Sequence, residues 1–105
     1  LLAPHHGSAS SSAPELVAAT RPDYVVYATG YRNRFGFPRP EVTRRWSAVG
    51  ALGLATADTG AIEFRLGADG RLHEPRLARL RQRRHWTHLT PGLRNSPFFP
   101  QPGIQ

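Results

Sequence analysis

The chain has 105 residues, a formal net charge of +7 and no cysteine, which allows at most one domain and excludes disulfides and thiolate metal sites. No stretch approaches the ~18 consecutive apolar residues that cross a membrane, and no signal peptide is visible. All fourteen basic residues are arginine, which favours phosphate-bearing partners because guanidinium binds phosphate through a paired fork, although an arginine bias in coding composition gives the same pattern.

The start of the chain alternates strand, loop and helix patterns. Residues 1–4 are typical of the end of a buried strand, and residues 5–13 form a polar loop. The sequence SAPE that follows fits a capping box, with Ser12 as the N-cap and Glu15 reaching back to it. A short helix is therefore predicted to run to about Thr20.

The middle of the chain predicts a strand, a long loop and a second helix. The strand is Tyr24–Thr29, which is rich in β-branched and aromatic residues. The loop covers residues 30–39. The helix has Pro40 in its first turn and Gly50 past its end. The apolar residues at helical spacing, which should face the core, are Val42, Trp46 and Val49.

The last third predicts two strands and a basic helix. The strands are residues 51–56 and 61–66, joined around Gly60, and apolar and charged residues alternate in the second. Residues 68–70 form a turn. Residues 74–84 predict a helix rich in arginine, which is either a phosphate-binding face or a solvated amphipathic helix.

This order, β-α-β-α-β-β followed by a basic helix, indicates an α/β (α+β) fold in which helices cover a face of a mixed sheet. The helix between the first two strands implies that they pair in parallel. Residues 87–105 are rich in proline and are predicted to lack regular structure.

Two adjacent histidines, Gly7 and a run of serines follow the first strand. Open α/β sheets place ligands in loops at the carboxyl ends of strands. Imidazole binds divalent metals, and serine hydroxyls can contact phosphate oxygens. Two histidines cannot complete a site of four or more ligands, so a solvated pair in a flexible loop is the alternative. The candidate residues are His5, His6, Ser8, Ser11 and Ser12.

The loop GYRNRFGFPRP at 30–40 combines arginines, aromatic residues, glycines and prolines. Aromatic rings beside arginines can stack a base and hold a phosphate. A structural loop anchored by its aromatic residues is the alternative. The candidate DNA- or phosphate-binding residues are Arg32, Asn33, Arg34, Phe35, Gly36 and Phe37.

Together these loops resemble the last third of the metallo-β-lactamase-like domain of the ComEC/Rec2 DNA-internalisation proteins. The resemblance is good over residues 3–66 and weak over 67–86. Residues 1–86 are therefore assigned as the C-terminal portion of such a domain, and residues 87–105 as a tail. The matching motifs are HHGS at 5–8, NRFG at 33–36 with prolines at 38 and 40, TADTGAI at 56–62 and RRHW at 83–86.

The resemblance implies an αββα sandwich with two divalent ions, Mn²⁺ or Zn²⁺, most of whose ligands lie upstream of this chain. It implies that His6 is a metal ligand and that His5 and Ser8 are catalytic residues near the scissile phosphate. The implied reaction is phosphodiester hydrolysis of DNA during natural transformation, without a small-molecule cofactor. The parent would be a bacterial inner-membrane channel protein that carries this domain in the periplasm. The implied partners are the rest of that protein and DNA, either single-stranded or as the non-imported strand.

Two departures from the family pattern leave alternatives open. Phe37 stands where many members have histidine, and Ala57 stands where aspartate is usual. A catalytically inactive DNA-binding module of the same fold, or a hydrolase of another phosphoester, would fit these changes. The isolated 105 residues are expected to be inactive and marginally stable, because most metal ligands and part of the core would be missing.

Overall fold

A computed structural model of the chain describes residues 1–81. The chain divides into two compact units, residues 1–57 and residues from 58 onward, which are described separately. The tail predicted at 87–105, the RRHW motif and the end of the predicted basic helix lie outside the described residues.

The structure is a mixed α/β arrangement of short elements, as predicted. The first unit begins with a 3-10 helix at Pro4–Gly7. The elements that follow are α1 (Pro14–Thr20), β1 (Tyr24–Tyr27), α2 (Pro40–Ala48), β2 (Leu52–Ala55), α3 (Thr56–Thr59), β3 (Ile62–Glu63), β4 (Arg76–Leu77) and α4 (Ala78–Arg81).

The first unit is built on a parallel sheet. β1 pairs in parallel with β2, from Tyr24 opposite Leu52 to Tyr27 opposite Ala55. At the other edge of β1, Leu2 forms a parallel bridge with Val26, which confirms the predicted parallel pairing of the first two strands. The predicted burial of that first strand is confirmed for Ala3, which is 6% exposed and belongs to the core cluster, but is wrong for Leu2, which is 66% exposed.

Helix α2 covers this sheet through a buried apolar stripe. Val42 and Trp46 are fully buried, as their spacing predicts, and pack in a cluster with Val25 and Tyr27 of β1. Val49 is partly buried against the same cluster. Burial of this stripe holds α2 on the sheet and so fixes where the preceding loop, residues 30–39, must end.

The predicted capping box of α1 is wrong. The N-cap is Ala13, and no side chain caps the helix. Ser12 is instead buried, and its hydroxyl accepts a hydrogen bond of 3.0 Å from Trp46 Nε1. An indole N–H buried without an acceptor costs about 1–3 kcal/mol, at least as much as a typical N-cap contributes, so the tertiary bond wins.

The second unit departs most from the sequence prediction. β3 is two residues long and pairs antiparallel with β4, so the strands form two separate two-stranded sheets instead of one mixed sheet. The helical segment α3 separates β2 from β3. Arg76–Leu77, predicted as helix, is strand. Leu66, an apolar residue of the predicted alternating strand, is 72% exposed even though it forms an isolated antiparallel bridge with Leu72.

Burial raises the pKa of Tyr27 from 10.0 to about 12. The folded-state pKa lies above the unfolded value, so the stability that depends on the neutral phenol is complete below pH 10.0 and is lost as the pH rises through about 12. We expect Tyr27→Phe to remove most of this alkaline loss. Urea denaturation of both chains, below and above the ordinary tyrosine pKa, measures it.

Tyr24→Phe is the matched control, since Tyr24 lies in the same strand but is only half-buried. The chain contains no lysine, the other side chain that ordinarily loses its proton near pH 10. Equal alkaline losses in wild type and Tyr27→Phe would contradict the prediction.

Candidate functional site

The histidine loop is a left-handed turn. His5, His6 and Gly7 have φ angles of 46°, 58° and 88°. Positive φ costs a residue with a side chain roughly 1–2 kcal/mol. A strand would point two adjacent side chains to opposite faces. The turn instead brings the two imidazole rings to a centroid distance of 6.2 Å, and both rings line the same pocket.

His6 has a fixed proton position. Its Nδ1 lies 2.7 Å from the carbonyl oxygen of Ala28, the residue after β1. A carbonyl oxygen only accepts, so Nδ1 carries the proton and donates. In the neutral ring the lone pair is then on Nε2, the nitrogen that a metal ion would bind.

His5 is held by Ser8. Its Nδ1 lies 2.8 Å from Ser8 Oγ, and Ser8 is 5% exposed. The backbone supports this contact, because Ser8 N donates to His5 O over 3.1 Å. Ser11 in turn donates its hydroxyl to the carbonyl oxygen of Ser8, over 2.7 Å. Ser8 therefore orients the His5 ring directly, and Ser11 supports it by holding the backbone of Ser8.

The aromatic loop is shaped by Asn33. Its Oδ1 accepts from Phe37 N (2.8 Å), and its Nδ2 donates to Phe37 O (2.9 Å) and Gly30 O (3.3 Å). This clamp places the Phe37 ring 6.0 Å from the His5 ring and stacked on Phe35 at 5.4 Å. The Phe37–Pro38 peptide bond is cis.

The two loops meet at Gly7. Its carbonyl oxygen accepts a hydrogen bond of 3.0 Å from Arg39 N. A Cβ atom at Gly7 would lie 2.7 Å from Pro38 Cβ and 3.0 Å from a ring carbon of Tyr27. The missing side chain of Gly7 is therefore what allows the aromatic loop to lie against the histidine loop.

A pocket of about 360 Å³ opens between these loops. Five predicted site residues line it, and the sequence analysis missed three further lining residues that follow β1. Those three could have been found by applying the rule about carboxyl ends of strands to the second strand as well as the first. The lining residues are His5, His6, Ala28, Thr29, Gly30, Asn33, Phe35 and Phe37.

The other predicted site residues lie around this pocket or away from it. The hydroxyl of Ser12 is buried on Trp46. Arg32 and Arg34 are exposed, with their guanidinium carbons 5.4 Å from the Tyr31 ring and 4.9 Å from the Phe35 ring. Gly36 turns the aromatic loop with a φ of 64°. The two arginines thus lie over aromatic rings of the loop and do not line the pocket themselves.

Thr29 carries an unused polar atom at the pocket. Its Oγ1 is buried and makes no hydrogen bond within the described part of the chain. Its backbone is fixed, because Thr56 Oγ1 accepts from Thr29 N and donates to Thr29 O, both at 2.9 Å. The strand therefore ends in a rigid backbone with one free hydroxyl.

The described residues contain no complete metal site. Within residues 1–81, no group of three or more histidine, aspartate or glutamate side chains could hold an ion. His6 nevertheless fits a ligand role, because its Nδ1–H is bound to a carbonyl and its ring lines the pocket.

None of the helices found in residues 1–81 has the length and apolar character needed to span a membrane.

Comparison with known proteins gives one informative similarity. The chain is 39% identical over 66 residues to "Competence protein ComA" of Neisseria gonorrhoeae. The matched segment is 63% of this chain and 10% of that protein, so the chain spans about a tenth of its relative. No protein-family model matches the chain. No solved structure matches it either.

Proposed function

We propose that this chain is part of a competence protein that acts on DNA during transformation, and that it supplies the histidine loop of a metal-dependent phosphodiesterase site. The similarity to a curated competence protein supports the biological role. The observation that carries the chemistry is the bond from His6 to the Ala28 carbonyl, which leaves Nε2 available for a metal ion at a pocket.

In this proposal each residue of the histidine loop has a separate task. A pair of divalent ions, when bound, would supply charge stabilisation at the phosphate and an activated water. His6 would provide one ligand, with its tautomer set by Ala28. His5, oriented by the Ser8 hydroxyl, would hold or donate a proton near the phosphate. The remaining ligands would come from residues outside this chain, within an αββα sandwich whose parent lies in the inner membrane with the site in the periplasm.

A second candidate function is DNA binding without cleavage. It is favoured by Phe37, which packs on Phe35 and near His5 at a position where many members of the resembling family have histidine. It is also favoured by the exposed arginines beside these rings. Such a module would bind DNA with an affinity that falls as salt rises, because phosphate contacts release counterions.

His6→Ala tests the first proposal in the full-length protein that contains these residues. We expect cleavage of single-stranded DNA with Mn²⁺ to fall about a hundredfold or more, since even residues that only orient metal ligands contribute 10–100-fold. His73→Ala is the control, because it removes one exposed histidine outside the pocket.

Two outcomes decide between the candidates. Metal-dependent cleavage that survives His6→Ala would remove His6 from the site. Salt-sensitive DNA binding, without cleavage under Mn²⁺, Zn²⁺ or Mg²⁺, would replace the nuclease by the binding module, and Phe37→His would then be the first variant to make.

A further inference from the structure

One wall of the pocket consists of two stacked phenylalanine rings, and arginine side chains lie against both rings. Phe35 and Phe37 stack at 5.4 Å with an interplanar angle of 19°, and both line the pocket. The guanidinium carbon of Arg34 is 4.9 Å from the Phe35 ring, and that of Arg39 is 5.8 Å from the Phe37 ring. Flat apolar surface and cationic groups are therefore presented within one side-chain length of each other.

This combination suits one nucleotide of a single strand. A base offers a flat ring to an aromatic wall, and its phosphate offers a charge to arginine. The bases of a duplex are stacked on each other and cannot reach such a wall unless one leaves the helix. The pocket volume of about 360 Å³ lies near the small end of ligand sites and fits one ring system better than several.

Thr29 supplies a polar group on the same pocket. Its hydroxyl has no hydrogen-bond partner among the described residues, so turning it into the pocket about χ1 breaks no existing bond. Among β-branched residues, threonine is the one that divides between two χ1 rotamers, because its hydroxyl can follow a hydrogen-bond partner. The hydroxyl can then donate to, or accept from, the edge of a bound base.

We propose that this pocket seats an unpaired nucleobase against the Phe35–Phe37 wall, with the flanking phosphates on Arg34 and Arg39. The inference rests on the proposed action on DNA and adds how the strand is held, which is through a base as well as through its backbone. The His5 and His6 rings line the same pocket, so the adjoining phosphate would lie beside them.

Phe35→Ala tests this proposal, with Tyr31→Ala as a matched control. Both rings are 52% exposed and lie in the same loop beside a guanidinium group, but only Phe35 lines the pocket. The probes are an oligothymidylate and an abasic oligonucleotide of equal length, which carry the same phosphates. Fluorescence anisotropy of the 105-residue chain at fixed salt gives both affinities, without metal or cleavage.

We expect the wild-type chain to prefer the oligothymidylate, and Phe35→Ala to reduce that preference about five- to a hundredfold, the range for one base–aromatic stack. Tyr31→Ala should leave the preference unchanged. Thr29→Val, which keeps the shape of the side chain, should weaken the oligothymidylate alone by about two- to tenfold. Thermal melts confirm that each variant is folded, and Thr29→Val should melt no lower than wild type.

Equal affinity of the wild-type chain for the two probes would overturn the base pocket. So would an equal loss of preference in Tyr31→Ala and Phe35→Ala. Neither result would touch the nuclease proposal, which stands or falls with metal-dependent cleavage and His6. A retained base preference in a protein that does not cleave DNA would support this pocket and the binding module together.

Discussion

Gly7→Ala should lower the free energy of unfolding by about 3 kcal/mol and open the pocket, because it combines a conformational penalty of roughly 1–2 kcal/mol with a steric penalty of roughly 1–3 kcal/mol. The first is the left-handed backbone, with φ at 88°. The second is a Cβ atom placed 2.7 Å from Pro38 Cβ. Relieving that contact means moving Pro38, and this also strains the hydrogen bond from Arg39 N to Gly7 O. Urea denaturation measures the loss.

Gly50→Ala separates the two penalties. Gly50 has nearly the same φ, 86°, but a Cβ atom there meets nothing within 4 Å. We expect this control to lose only the conformational part, about 1–2 kcal/mol. If the two variants are equally stable, the contact between the histidine loop and the aromatic loop does not depend on the missing side chain of Gly7, and that part of the site description is wrong.

Trp46→Ala should cost about 3–5 kcal/mol, the usual range for deleting a large aromatic side chain from a core. Trp46 is fully buried and packs between α2 and the parallel sheet. A domain of this size has only about 5–15 kcal/mol of total stability, so the variant should lose a large share of its free energy of unfolding. Far-ultraviolet circular dichroism against urea measures this. Arg44→Ala, at an exposed position of the same helix, should change little.

The hydrogen bond to Trp46 adds a sharper readout. Ser12→Ala leaves the buried indole N–H without its acceptor and should cost about 1–3 kcal/mol. In a double-mutant cycle, the same change made in a Trp46→Phe background should cost clearly less, because no N–H remains to be satisfied. Additive effects would show that Ser12 stabilises the chain by some route other than the bond from Trp46.

Helix α2 and the parallel sheet could be predicted because their signals are local and agree with one another. Pro40, the spacing of Val42 and Trp46, and the β-branched run in β1 all indicate the observed elements. The prediction of a capping box was wrong because the Ser12 hydroxyl is bound to Trp46, 34 residues away, and no local pattern reveals such a partner. The second unit was predicted less well because its pairing joins residues that are distant in sequence: Ile62–Glu63 pairs with Arg76–Leu77, where the local pattern indicated a helix.

The site shows the same division. The chemistry of His5, His6 and the aromatic loop follows from residue type, and these residues do line one pocket. Their arrangement depends on long-range backbone contacts: His6 to the Ala28 carbonyl and Gly7 to the Arg39 amide. A sequence pattern can suggest a metal ligand, but which imidazole nitrogen is free follows only from the carbonyl that occupies the other one.

The left-handed turn also affects which substitutions evolution should favour at His5 and His6. Glycine adopts positive φ without the steric cost that histidine meets, so substitutions to glycine at His5 or His6 should be favoured wherever stability alone is selected. Descendants that no longer use the pocket should therefore lose the histidine pair early, and those that still use it should keep the pair despite its cost. A survey of natural variants at these two positions would thus separate proteins that still use the pocket from those that no longer do, without a functional assay.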